Sequence, residues 1–565
     1  MREVTAAPAP AVAPPTQDRG RHPEGEAAER PAASTTEIDR RAPAKAADAT
    51  THPTARPSAG LAGLLWIGVL GVAVRVWLLA SPLGYLNSDE ANTSIQAREL
   101  FRGHAWILVP GTPYGGNVEA WIDAPLAALL GLSATRNKVE AILLWLAAGL
   151  VLARSVRHLG RAPVAAAFGV VWLPSAAIVL LSTLDYPGYA VGFLATCGVL
   201  ALARPLLDTP PPPAAGGGDR GELQALAWRA AATGALAGLA VWQHPLYGWV
   251  GACTLAAVAW RQRRRARAAL LPLVAGGVVA FSPVLVANLR HDLASLRFRG
   301  PATIAYPDRV RAWVTDLYPR SVGAKWMDPG WVLSGPSQVL AVLLLAALLA
   351  TCLAVLRWSP PSGKVAAGTL VLAPFTLTLL GNTAYTQDAR YAAMLLPVGG
   401  LVVAHGVALA PPGWRTGRRI CLVTTAWALL AVALPVSRTD MAAFADRTGE
   451  VGQLVAFLDA RQITAVRADY WVAYRVVVES DERIAASPLD PIKFDRYEQR
   501  VRQAGGAGVL VLDRDQAATY PAAVARGELP YRTFPQFQGH QRVEVSRWTV
   551  FLPPGPPAAA TTGGG

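Results

Sequence analysis

The sequence predicts a polytopic α-helical membrane protein with about eleven transmembrane helices and a small extracytoplasmic α/β domain at its C-terminal end. Three observations lead there. Of 565 residues, 52% are hydrophobic and 16% charged, and the mean hydropathy is +0.30, a balance rarely found in soluble chains. The apolar residues gather in runs of about 18–20, the length that crosses a hydrocarbon core. Lys and Arg collect in alternate short loops, as they do on the cytosolic side of membrane proteins.

Residues 1–57 are Ala, Pro, Arg and Glu in no periodic order, without an apolar stretch long enough for a signal peptide. They read as a disordered cytosolic tail. Apolar segments follow near 61–80, 138–153, 163–181, 189–203, 226–242, 246–260, 268–288, 336–356, 365–380, 391–409 and 420–436. The Pro/Gly run Thr209–Gly218 is a linker. Arg154, Arg157 and Arg161 follow the second span, Arg261 to Arg267 the sixth, and Arg415, Arg418 and Arg419 the tenth. The opposite connections Ser182–Gly188, Gln243–Pro245 and Gly381–Ala389 hold no Lys or Arg. This alternation makes a multi-pass plasma-membrane protein with its N-terminus cytosolic and its C-terminus extracytoplasmic, which requires an odd number of spans. Arg290–Gly335 breaks the rule, an external loop rich in Arg with Lys325 as well, so its positive charge is expected to serve a function outside.

The transmembrane domain then covers 58–437, the external domain 438–554, and a second disordered tail 555–565. In 438–554, helix-like stretches (Glu450–Arg461, Pro491–Gln503) alternate with β-rich runs (Thr464–Ala468, Gly508–Leu512, Arg547–Leu552). No glycine fingerprint for nucleotide binding follows a strand there. The domain carries no catalytic constellation and is expected to help position an acceptor. Tyr470, Trp471 and Tyr474 would serve it as core or as aromatic surface. Cys197, Cys253, Cys352 and Cys421 all fall inside apolar segments, which supports neither a disulfide framework nor a zinc site. The net charge of +14 flanks spans instead of forming a basic-aromatic face, so no nucleic-acid partner is expected.

Sorted by side, the unusual polar residues converge on external span ends and loops: Asp89, Glu90, Glu119, Asp185, Tyr186, His244, Arg390 and Tyr391 among them. No acidic residue falls mid-span, which argues against an ion-coupled transporter or flippase; a non-catalytic envelope scaffold would not need the convergence. The first external loop is expected to lie on the membrane as amphipathic helices and turns.

Within that loop, Tyr85-Leu86-Asn87-Ser88-Asp89-Glu90-Ala91 resembles the Asp-Glu motif of the GT-C glycosyltransferases, and the chain looks similar to protein O-mannosyltransferases and lipid A aminoarabinose transferases. Pro113-Tyr114-Gly115-Gly116-Asn117-Val118-Glu119 and Asp388-Ala389-Arg390-Tyr391 are further echoes. The resemblance implies transfer of a sugar from a polyprenyl-phosphate carrier to a lipid, polysaccharide or protein acceptor at the outer face. The chemistry suits the residues. Phosphate leaves without a proton, so one carboxylate can act as general base, and Arg suits departing phosphate oxygens. The candidate assignments are Asp89 and Glu90 as catalytic, with Asp89 the base. Arg390, Lys325 and Arg297 would bind the donor phosphate, and Glu119, Asp185, Tyr186, His244 and Tyr391 would line the pocket. No cofactor is implied, and a divalent metal is not indicated. Each assignment has a structural rival: Asp89 as a helix cap, Arg390 as an interfacial anchor, His244 and Asp185 as turn residues.

Overall fold

The computed structural model describes residues 58–554, apart from 132–133, 210–219, 298–303, 327–329, 381–387, 412, 414–415, 505–507, 528–536 and 538. Both expected tails and nearly all of the Pro/Gly linker lie outside the described residues. Seven helices among those described are long and apolar enough to cross a membrane: Leu61–Ala80, Tyr189–Asp208, Arg220–Gln243, Tyr247–Arg290, Pro336–Trp358, Ala389–Leu409 and Gly417–Ser437. The Tyr247–Arg290 run is 44 residues long and takes in two of the expected segments.

Three expected segments fall short of that length and composition, each for a visible reason. Segment 138–153 lies in helix Ala134–Ser155, whose opening turns carry Arg136, Lys138 and Glu140. Segment 163–181 is divided at Leu173-Pro174-Ser175 into helices Arg161–Trp172 and Ala176–Leu181, because Pro174 lacks an N–H for the helical ladder. Segment 365–380 sits in helix Pro361–Leu377, only 17 residues long. The eleven expected crossings therefore become seven by this measure.

Small residues set the closest helix contacts. A Cβ on Gly234 would fall 1.9 Å from the Leu273 carbonyl oxygen, and one on Gly238 2.4 Å from that of Gly277. This Gly-x-x-x-Gly spacing lets two backbones approach where apolar burial alone offers no net attraction between helices. Elsewhere large side chains interlock: Trp145 stacks on Phe193 with centroids 3.9 Å apart, and the buried Arg75 guanidinium lies 3.7 Å above the Trp172 ring.

The C-terminal part folds as a five-stranded sheet in the order β2-β1-β3-β5-β4. Its strands are β1 (Ala465–Ala468), β2 (Ala485–Pro488), β3 (Leu510–Asp513), β4 (Gln541–Val545) and β5 (Trp548–Leu552). β1 pairs in parallel with both β2 and β3, and β5 runs antiparallel to β3 and β4. Helix Tyr470–Glu479 carries the chain from β1 to β2 on one side. Helix Asp495–Gln503 then carries it from β2 to β3 on the other side of β1.

Helix Ser88–Phe101 of the first loop joins this C-terminal part. Its Ala91 and Ile95, with Leu86 just before it, share one apolar core with Val451, Leu454, Val472 and Val476. Arg98 meets Asp481 at 2.5 Å and Arg102 meets Glu482 at 2.5 Å, while Arg496 reaches back to Glu99 at 2.6 Å. Burial disfavours the Glu482 carboxylate, yet Arg102 and the Tyr497 hydroxyl hold its pKa below the ordinary value. The polar residues Asn92, Thr93, Ser94 and Gln96 are buried too. The helix is thus enclosed by protein, and does not lie flat as the amphipathic surface segment that its sequence suggested.

Candidate active site

The Asp-Glu pair sits at the start of helix Ser88–Phe101, and Asn87 explains why. Its side chain accepts from the Asp89 and Glu90 amides at 2.9 and 3.1 Å, while the Glu90 carboxylate accepts from the Asn87 amide at 3.2 Å. This reciprocal capping box, with two acids in the first turn, fits the positive end of the helix dipole. The cap is Asn87, which frees Asp89 from that duty.

The two acids have opposite surroundings. Glu90 is fully buried and forms an ion pair with buried Lys138. It also accepts from Asn87 Nδ2 at 2.9 Å and from the Asp185 amide at 3.2 Å. Every lobe of this carboxylate is engaged by protein. The Asp89 side chain is 25% exposed. Tyr470 donates its hydroxyl to Asp89 Oδ1 at 2.5 Å, and Lys493 Nζ stands 3.6 Å from the same oxygen. Asn92 Nδ2 in turn donates to the Tyr470 oxygen at 3.1 Å. Burial raises the Tyr470 phenol pKa, and Asp89 raises it further, so it remains a neutral donor. Burial lowers the Lys493 ammonium pKa while Asp89 pulls it back up. The C-terminal part therefore supplies two groups to Asp89, more than the acceptor-positioning role read from the sequence. Gly111 makes room for one of them: at φ +72° it passes so close that a Cβ would lie 2.8 Å from the Lys493 side chain.

Arg390 faces the same region. It pairs with Asp388 at 2.7 Å and lies 5.0 Å over the Tyr391 ring. Tyr114 and Tyr186 each lie within electrostatic reach of both Asp89 and Arg390. Burial raises both phenols, with Asp89 adding to the rise and Arg390 opposing it. His244 packs edge-on to Tyr114 at 5.8 Å and tilted against Tyr189 and Tyr391 at 5.2 and 6.4 Å. Burial, reinforced by Arg390, lowers its pKa to about 3, which keeps the ring neutral. Asp89, Tyr114, Tyr186, His244, Arg390 and Tyr391 thus form one constellation.

Other expected residues stand apart from it. Glu119 and Asp185 are fully buried and brace the site from behind instead of lining it. Glu119 accepts from the Val191 amide at 3.0 Å, at the start of helix Tyr189–Asp208. Asp185 accepts from Asn137 Nδ2 at 3.1 Å. Lys325 is held by Asp316 at 3.0 Å and lies 5.0 Å over the Trp331 ring. Arg297 is exposed. Among the described residues neither cation bonds to the Asp89–Arg390 group, and no cluster of three or more His, Cys, Asp or Glu is placed to hold a metal ion. Sequence reasoning missed Lys138 and Lys493, and it read Tyr470 as core or aromatic surface without its bond to Asp89. The first carried a signal, a cation at the mouth of an apolar run.

The fold is the GT-C fold. The chain is similar to ArnT from Cupriavidus metallidurans in the apo state, with TM-score 0.57 and 15% identity over 86% of this chain and 97% of that one. The crystal structure of the same protein bound to undecaprenyl phosphate matches over the same shares at TM-score 0.54 and 14% identity. The oligosaccharyltransferase AglB from Archaeoglobus fulgidus gives TM-score 0.45 and 13% identity over 86% of this chain and 72% of that one. No protein-family model and no curated sequence matches the chain.

Proposed function

We propose that the protein is a membrane glycosyltransferase that moves a sugar from a polyprenyl-phosphate donor to a hydroxyl of an envelope acceptor at the outer face. One observation carries this reading: a partly exposed carboxylate, Asp89, and a cation, Arg390, border one aromatic site in a GT-C fold. The similar ArnT structure holds undecaprenyl phosphate, a ligand whose headgroup the Arg390 side would suit. Asp89 takes the proton of the acceptor hydroxyl as its oxygen bonds to the donor's anomeric carbon. The bond from that carbon to the phosphate oxygen breaks, and the lipid phosphate leaves with its charge against Arg390. Attack opposite the leaving group inverts the anomeric centre. Glu90 acts as a positioning residue through Asn87 and Lys138, and phosphate binding rests on Arg390, since Lys325 lies against Asp316 and Trp331, apart from the Asp89–Arg390 group.

The reading places the N-terminus in the cytosol and residues 438–554 outside, with eleven crossings that include the three shorter or interrupted segments. Reporter fusions after Arg267 and after Thr439 are expected on opposite sides of the membrane, and the same side for both overturns the topology. The function itself is tested with Asp89→Asn, which keeps the shape but cannot take a proton. Transfer is expected to fall at least a hundredfold while binding of the lipid phosphate persists. Normal transfer by this variant removes the base.

A further inference from the structure

A cleft of about 510 Å³ lies beside the Asp89 site, within the range of ligand pockets of roughly 300–1,000 Å³. One wall belongs to the first loop and its neighbour: Tyr85, Asn87 and Tyr186. The other is built from Asp469 after β1, Asp513 at the end of β3, and Trp548 at the start of β5. Asp513 and Trp548 are direct partners across β3 and β5. The chain leaves β1 towards β2 on one side and returns to β3 on the other, so the cleft opens where the connections diverge. In open α/β sheets this divergence leaves a crevice at the carboxyl ends of the strands, and ligands bind there.

The lining selects a ligand class. Its cations are already committed: Arg547 to Asp513 and, at 3.7 Å, to Glu450, and Arg475 to Glu479 at 3.5 Å. Three carboxylates (Glu450, Asp469, Asp513) face two guanidinium groups, which disfavours an anion. The carboxylates are also fixed in place. Asp469 accepts from the Trp471 amide at 2.9 Å and from Gln516 Nε2 at 3.2 Å, and Asp513 accepts from the Asp515 amide at 3.1 Å. Rigid planar acceptors and amides beside aromatic rings suit hydroxyl pairs on a ring with apolar C–H faces. Trp471 lines the cleft yet is 56% exposed, and the buried Trp548 indole N–H has no hydrogen-bond partner among the described residues. Between Asp469 and Trp471 stands Tyr470, the residue bonded to Asp89. A ring in the cleft is therefore one residue from the base.

We infer that this cleft binds a neutral, hydroxyl-rich saccharide ring of the acceptor, an inference that rests on the glycosyltransferase reading for the word acceptor but not for the binding. The test presents the purified, labelled full chain in detergent to an array of neutral hexose and pentose oligosaccharides beside phosphorylated and uronic-acid counterparts. The expected result is signal on neutral saccharides, at least tenfold weaker for Trp471→Ala and partly restored for Trp471→Phe. A melting scan accompanies each variant; the exposed Trp471 is expected to leave it within a few degrees. Asp89→Asn is expected to bind as the unmodified chain does while failing to transfer. No signal on any neutral saccharide, a preference for the anionic ones, or unchanged binding by Trp471→Ala overturns the cleft. Transfer by Asp89→Asn overturns the catalytic reading and leaves the cleft's result standing by itself.

Discussion

The Tyr470 hydroxyl donates to Asp89 Oδ1 across 381 positions of chain, so the candidate base of the first loop is held by the first residue after β1 and its N-cap. A phenol that donates to a carboxylate fixes its direction and shares its charge. With Lys493 on the same oxygen, Asp89 is oriented without being closed off from a substrate.

Replacing Tyr470 by Phe removes one hydrogen bond to a charged group, worth roughly 1.5–3 kcal/mol, and leaves the ring. The expected outcome is a fall in kcat of roughly tenfold or more with the donor KM little changed. Steady-state kinetics with a lipid-phosphate sugar measure both. A change in KM alone assigns Tyr470 to binding instead.

For Arg390 the comparison is between two substitutions. Lys keeps the charge but loses the planar fork, so Arg390→Lys is expected to lower kcat/KM by about tenfold and Arg390→Ala by about a hundredfold. Equal activity of all three proteins reduces Arg390 to an anchor.

Glu90 and Lys138 form a buried pair. Glu90→Ala strands the ammonium and is expected to cost roughly 3–5 kcal/mol, whereas Glu90→Gln combined with Lys138→Met is expected to recover most of it. Thermal melting decides. A Glu90→Ala chain that melts normally contradicts the cost assigned to the buried pair.

Burial raises the Glu119 carboxyl from 4.5 to about 7, against the opposing hydrogen bond from the Val191 amide. Burial and the neighbouring carboxylates raise Asp185 in the same direction. Between those two pH values the folded chain keeps a proton that the unfolded chain releases. The stabilisation is complete below 4.5 and is lost as pH rises through about 7. Melting temperature is expected to fall from pH 5 to pH 8, and Glu119→Gln to flatten part of that slope. A steeper slope in the variant contradicts the assignment.

Much of this was legible because it is local. The capping box lies within four residues, Asn87 to Glu90, and a run of apolar side chains announces a membrane helix by itself. Pro174 and the charged turn Arg136–Glu140 stand in the sequence as well, although segments 163–181 and 138–153 read there as whole spans. Lys493 and Tyr470 gave no such sign. Their role depends on a contact made through tertiary packing, and an aromatic residue opening an amphipathic helix looks the same whether it fills a core or touches a carboxylate. Asp481-Glu482 shows the converse. It repeats the Asp89-Glu90 dipeptide, yet its partners Arg98 and Arg102 make it a clamp on the helix that carries the first pair.

That clamp bears on the timing of synthesis. Helix Ser88–Phe101 emerges early, but the residues that complete its core and its ion pairs arrive with the last part of the chain. At about 5–20 residues per second, the interval between Asp89 and Tyr470 is on the order of half a minute. Through that interval Leu86, Ala91 and Ile95 lack their apolar neighbours and Asp89 lacks its phenol. A ribosome that stalls before the sheet is finished leaves an inserted bundle with an unassembled centre, so the proposed site is complete only once Tyr470 and Lys493 have been translated.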